Sequence, residues 1–218
     1  MDFRFHGEVA IPVKGVQLKG ELIIPSKAEA IVIFSHGSGS SRLSPRNIMV
    51  ADYLQKKGFG TLLFDLLTEA EDRDYYNRFD IELLTQRLIV ATEWLKQQPA
   101  AINCRMGYFG ASTGAASALK AAKDLPQTGA VVSRGGRPDL ALDDLPEVNA
   151  PTILIVGSLD YDVLVLNKKA YQQLQCVKKL EVIEGASHLF EEQGTMEQVC
   201  EVAAAWFDKW LQPIAVAK

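Results

Sequence analysis

The feature that most constrains the fold is a recurrence. Short apolar runs rich in Val, Ile, Leu and Phe return along the chain, and from AIVIFSHG onward most are separated by longer stretches with helical spacing. That alternation predicts a mostly parallel sheet with helices on its faces. Eight strands are expected: RFHGEVAIPV, VQLKGELIIP, AIVIFSHG, GTLLFDLL, RMGYFGA, GAVVSRG, PTILIVGS and KLEVIEGA. The first two alternate polar and apolar residues and are parted only by Lys14-Gly15, a hairpin signal, so the sheet is expected to open with an antiparallel pair.

Between strands, Ile81, Leu84, Leu88, Ala91 and Leu95 mark one face of a helix that ends before Pro99. Near the end Met196, Val199, Cys200, Ala203, Phe207 and Trp210 repeat at helical spacing, with Thr195 placed to cap them. This stripe is expected to pack in the core rather than to hold a cofactor. No Pro/Gly/Ser-rich linker or shift in composition divides the 218 residues, which predicts one domain over 1–218.

Composition excludes several classes. Hydrophobic residues at 48% and charged residues at 23% are those of a globular chain, not a disordered one. The net charge of -4 is mild and the Lys and Arg residues are scattered, so nucleic acid is not an expected partner. Runs such as PTILIVG fall far short of the roughly 18 apolar residues of a membrane helix, and MDFRFHGEVA lacks a basic-then-apolar signal pattern. No membrane association is expected, and the expected compartment is the cytoplasm. Cys104, Cys176 and Cys200 are odd in number, widely spaced and without a C-x-x-C pair, which predicts inert thiols and no zinc site.

The stretch YFGASTGAASA contains Gly110-x-Ser112-x-Gly114 between a buried-type strand and an alanine-rich helix former. At such a strand-to-helix turn the serine takes strained backbone angles, and the glycines let neighbouring chain pass close by. The helix N-terminus aims free N–H groups at the place where an oxyanion forms. Ser112 is therefore a candidate nucleophile, against the alternative of a structural turn.

A serine hydroxyl needs a base, usually histidine, oriented by a carboxylate. Of three histidines, His6 lies in the first strand at the expected sheet edge and His36 ends an early strand. His188, in EGASHLFEE, follows the last strand, where a loop can return it over the C-terminal edge of the sheet. It is the expected base. PTILIVGSLDYDV ends a strand with Asp160 in the turn, and Asp160 is the preferred acid; Asp162 is the runner-up, and either can instead cap the helix that follows. The order Ser112, Asp160, His188 is that of an α/β-hydrolase triad. SHGSGSS supplies small residues for a second oxyanion donor, the N–H of Ser38 acting with that of Thr113. A glycine-rich turn is the plainer alternative, and no phosphate-loop signature is present.

Taken together, HGSGSS, FGASTGAA, VGSLDYDV and GASHLFEE resemble the α/β-hydrolase superfamily, and within it the small lidless dienelactone-hydrolase-like proteins. The resemblance covers essentially the whole chain. It implies an α/β-hydrolase fold with helices on both faces and no large lid. It implies Ser112 as nucleophile, His188 as base, Asp160 as its partner, and Ser38 and Thr113 as oxyanion donors, with no metal or organic cofactor. Dienelactone hydrolases proper use cysteine as nucleophile; serine here favours ordinary ester or thioester chemistry on a small-molecule acyl substrate.

Two stretches are expected to shape an open site. SRGGRPDL brings Arg134 and Arg137 near the same sheet edge, and SSRLSPRN brings Arg42 and Arg46 from the oxyanion loop. A guanidinium fork suits a carboxylate or phosphate, which points to an anionic acyl substrate; salt bridges to Asp139, Asp143 or Asp65 are the competing reading. TEAEDRDYYNRFD is either a flap over the pocket or, preferably, a solvated connector. A lactonase, thioesterase or peptidase with the same triad, a non-catalytic binding module of the same fold, and a nucleotide-binding module remain as alternatives. Oligomeric state is left open.

Overall fold

A computed structural model describes residues 2–211 of the chain. All eight expected strands are present: β1 Phe3–Val13, β2 Val16–Pro25, β3 Ala30–Ser35, β4 Gly60–Phe64, β5 Arg105–Ala111, β6 Val131–Arg134, β7 Thr152–Gly157 and β8 Lys178–Ile183. They form one sheet in the order β1-β2-β4-β3-β5-β6-β7-β8. The hairpin turns at Lys14-Gly15, where Gly15 takes φ 82°. β2 then pairs antiparallel with β4, and every later pairing is parallel.

The helices are α1 Pro45–Lys56, α2 Glu69–Asp72, α3 Ile81–Lys96, α4 Thr113–Asp124, α5 Tyr161–Gln173 and α6 Thr195–Leu211. Alternate residues of the buried strands feed two cores. On one face Ile31, Ile33, Tyr108 and Leu154 pack with Leu88 and Leu95 of α3 and Leu119 of α4. On the other, Val32, Phe34, Phe109 and Ile155 pack with Leu54 of α1 and Phe207 and Leu211 of α6. Each such side chain contributes roughly 1.5–3 kcal/mol by leaving water, and strands buried on both faces need this continuous apolar sequence.

The crossover after β3 uses α1 on one face, and the crossover after β5 uses α4 on the other. The crevice at the C-terminal ends of β3 and β5 is thus the switch point, where ligands of open α/β sheets bind. One detail differs from the sequence expectations. Thr195 lies within α6, and its hydroxyl donates to Glu192 O (2.7 Å) instead of capping the helix. The β6–β7 crossover holds only two short 3-10 turns, Pro138–Ala141 and Leu145–Glu147, because prolines at 138 and 146 interrupt any longer helix.

Candidate active site

Ser112 joins β5 to α4 with φ 51° and ψ -122°, a left-handed conformation that costs a non-glycine residue about 1–3 kcal/mol. The surroundings hold it there from three sides. Its N–H donates to Arg134 O (3.2 Å), and its carbonyl accepts from Ala115 N (3.1 Å) and Arg137 N (3.0 Å). The flanking glycines are dictated by contact: a Cβ on Gly110 would lie 2.5 Å from Ala115 Cα, and one on Gly114 would lie 2.1 Å from Ser35 O. The half-buried Ser112 hydroxyl has no hydrogen bond among the described residues.

Asp160 follows β7 and His188 follows β8, so both rise from the same edge of the sheet as Ser112. Asp160 Oδ2 lies 2.6 Å from His188 Nδ1. A proton on Nδ1 facing the carboxylate leaves Nε2 as the basic nitrogen. Asp160 stands at the N-cap of α5 yet makes no capping bond with its side chain, whereas Asp162 is exposed in the first turn of that helix. The other histidines sit elsewhere. His6 is exposed on β1. His36 is buried, with Nδ1 donating to Gly37 O (3.0 Å) and Nε2 accepting from Leu66 N (3.0 Å). Its lone pair is therefore engaged, and burial lowers its pKa.

The loop carrying His188 is fastened by residues that periodicity does not reveal. Ser187 N donates to Glu192 Oε2 (3.0 Å), which holds that carboxyl below its ordinary range. Phe190 takes φ 55° and is 1% exposed, and its ring lies 5.9 Å from the Arg134 guanidinium.

Gly37 brings the loop after β3 against the elbow, where a Cβ on it would stand 2.9 Å from Ser112 Cβ. The Ser38 N–H donates to the Thr113 hydroxyl (2.9 Å), a partner the sequence did not suggest. The Thr113 amide, at the first position of α4, has no acceptor among the described residues.

The arginines separate into two kinds. Arg42 binds Asp65 through its backbone N (2.8 Å) and Nη1 (3.0 Å), and Arg137 holds Asp139 with Nε and Nη2 (2.9 and 2.8 Å). Both forks thus carry salt bridges, to two of the three carboxylates named as the competing reading. Arg134 is different: it is 4% exposed, donates to Asn47 Oδ1 (3.3 Å), and has no carboxylate partner among the described residues. Burial, reinforced by the Arg46 charge, pushes its pKa down to about 10.

The acidic and aromatic stretch after β4 is a pinned connector. Thr68 and Glu71 form a capping box on α2, Glu71 pairs with Arg87 of α3, and Asp72 takes two bonds from Arg78 (2.9 and 2.8 Å). Burial raises the pKa of all three thiols, that of Cys200 to about 11. Among the described residues no grouping of His, Cys, Asp and Glu could hold a metal, and no helix is long and apolar enough to cross a membrane.

Comparison with known proteins agrees with this fold. A dienelactone hydrolase from Anabaena variabilis is 52% identical and superposes with a TM-score of 0.93 over 95% of this chain and 99% of its own. An esterase from Pyrococcus furiosus shares the fold at 19% identity, with a TM-score of 0.78 over 95% of this chain and 93% of its own. Two curated Mycobacterium tuberculosis proteins, each named "Putative phosphoribosyl transferase", are 54% identical over 202 residues. That match takes in 92% of this chain, which spans 45% of the length of those relatives. The model of the dienelactone hydrolase family matches residues 18–216, and the chain belongs to that family.

Proposed function

We propose that the protein is a serine hydrolase that cleaves a carboxylic ester or related acyl bond through Ser112, His188 and Asp160. The observation that carries this reading is the 2.6 Å contact between Asp160 and His188 at the sheet edge where Ser112 is held in its strained turn. His188 Nε2 takes the Ser112 proton as Oγ attacks the carbonyl. The Thr113 N–H, with the Ser38 N–H turning from the Thr113 hydroxyl, holds the tetrahedral oxyanion. The imidazolium then protonates the leaving group, and water, deprotonated by His188, releases the acid from the acyl-enzyme.

Lactones and thioesters pass through the same intermediate and fall within this proposal. The salt bridges of Arg42 and Arg137, and that of Arg46 with Glu191 (3.3 Å), take three of the four candidate arginines out of it. The transferase name borne by the mycobacterial relatives belongs to proteins more than twice the matched length, and this chain lacks a phosphate-loop signature.

Intact mass after exposure to a fluorophosphonate tests the reading, because the reagent needs an activated serine and no knowledge of the substrate. A single adduct that disappears in Ser112→Ala is the expected result. Folded wild type without an adduct would turn the assignment toward a non-catalytic module of the same fold.

A further inference from the structure

Beside the proposed active centre lies a cavity of about 510 Å³ that the acyl-transfer mechanism does not use. Its walls come from the start of β2 (Gln17 and Lys19), the far end of the loop after β3 (Ser40 to Leu43) and the connector after β4 (Leu67 to Ala70). His36, Leu67 and Asp72 also line a narrow crevice beneath Gly37, Ser38 and Gly39, so the cavity adjoins the loop that reaches Ser112. Two strand spacings separate β5 from β4, which puts the cavity roughly 10 Å to the side of the strand that carries the serine.

The charges around it are matched. Arg42 pairs with Asp65 (3.0 Å), Lys19 with Glu69 (3.1 Å) and Asp72 with Arg78 (2.8 Å). A charged ligand would have to break one of these pairs. A neutral ligand would meet the amide of Gln17, the hydroxyls of Ser40 and Ser41, and the apolar Leu43 and Leu67. Hydroxyl groups arranged around an apolar C–H face have that combination of surfaces.

We propose that this cavity is a distal subsite for a neutral, polyhydroxylated group, of the kind a sugar presents, on the substrate whose acyl bond lies at Ser112. The substrate class so named is the ester of a neutral sugar or similar polyol. The inference rests on the acyl-transfer reading for the bond cleaved, and on the cavity alone for the group bound. Binding energy gained this far from the carbonyl can be used to orient it.

The test separates the two. Titration of Ser112→Ala with methyl maltoside, followed by amide chemical shifts, reads binding without catalysis. Saturable shifts at Ser40, Ser41, Thr68 and Ala70, lost when the exposed Ala70 is replaced in an Ala70→Trp background, are expected. Sodium acetate and phosphate should leave those amides in place. Absence of saturable shifts, or equal shifts with the anions, would overturn the subsite. With the serine intact, kcat/KM for a maltose acetate is expected to exceed that for ethyl acetate by at least tenfold, and Ala70→Trp to bring the ratio near one. A ratio near one in the wild type would also overturn it. Shifts without hydrolysis of either ester would support the subsite and refute the acyl-transfer reading.

Discussion

Asp160 places a carboxylate oxygen 2.6 Å from Nδ1 of His188, across the gap between the loops that follow β7 and β8. The contact fixes which ring nitrogen is left basic. Asp160→Asn keeps the shape but presents a neutral amide, which no longer stabilises an imidazolium. Its kcat/KM on p-nitrophenyl acetate is expected to fall by roughly 10³–10⁴, as loss of the orienting acid does elsewhere. Asp162→Asn, on an exposed side chain two residues along, should stay within about twofold of wild type. Equal losses in the two variants would remove Asp160 from its assigned role.

Thr113 supplies an orphan amide at the start of α4 and a hydroxyl that holds Ser38 N–H at 2.9 Å. The hydroxyl keeps the oxyanion loop aimed while the site is empty. Thr113→Val removes that acceptor, and fluorophosphonate labelling is expected to slow about tenfold, equivalent to about 1.4 kcal/mol. Thr113→Ser, which retains the oxygen, should label within about threefold of wild type. Unchanged labelling of the valine variant would show that the hydroxyl does not position the loop.

The eight strands, the hairpin and the α3 and α6 periodicities were legible because each depends on local pattern. Hydrophobic alternation says which face is buried, and Gly110 and Gly114 report the close approach of Ala115 and Ser35. The Ser112, Asp160 and His188 candidates were legible because strand ends bring such residues to one edge. What stayed hidden depends on side chains from distant elements. Whether an arginine faces a ligand or an aspartate cannot be read from a sequence, so Arg42 and Arg137 looked as available as Arg134. Phe190 gave no signal at all, since its burial and its place 5.9 Å from the Arg134 guanidinium depend on an element distant in the chain.

His36 links the oxyanion loop to the end of β4 as a neutral imidazole, and burial holds its pKa below the ordinary value of 6.5. The sign follows from linkage. Above about pH 6.5 the ring is neutral in both folded and unfolded chains and stability does not depend on it. As pH falls below that value the unfolded chain binds the proton first, so stability is lost until the lowered folded pKa is passed. Melting temperature measured from pH 8 to 5 is expected to fall through the acidic half for wild type, and to fall less for His36→Asn, whatever the absolute stability of the variant. Parallel curves would mean that His36 is protonated without penalty.

Arg134 carries a buried charge whose partners among the described residues are one amide oxygen and one aromatic face, while the nucleophile contact is made by its backbone carbonyl. Replacing the side chain therefore separates two roles. Arg134→Met removes the cost of burying the guanidinium, keeps most of the volume and leaves the Ser112 N–H bond in place. Its unfolding free energy by urea denaturation is expected to equal or exceed that of wild type, as replacement of buried charge by apolar volume often gives. Phe190→Ala is the contrasting case. It opens a cavity under the His188 loop and still requires a left-handed backbone at a residue with a Cβ, so a loss of about 3–5 kcal/mol is expected. If Arg134→Met were instead the more damaging of the two, the guanidinium and not the ring would be what secures the loop of the base.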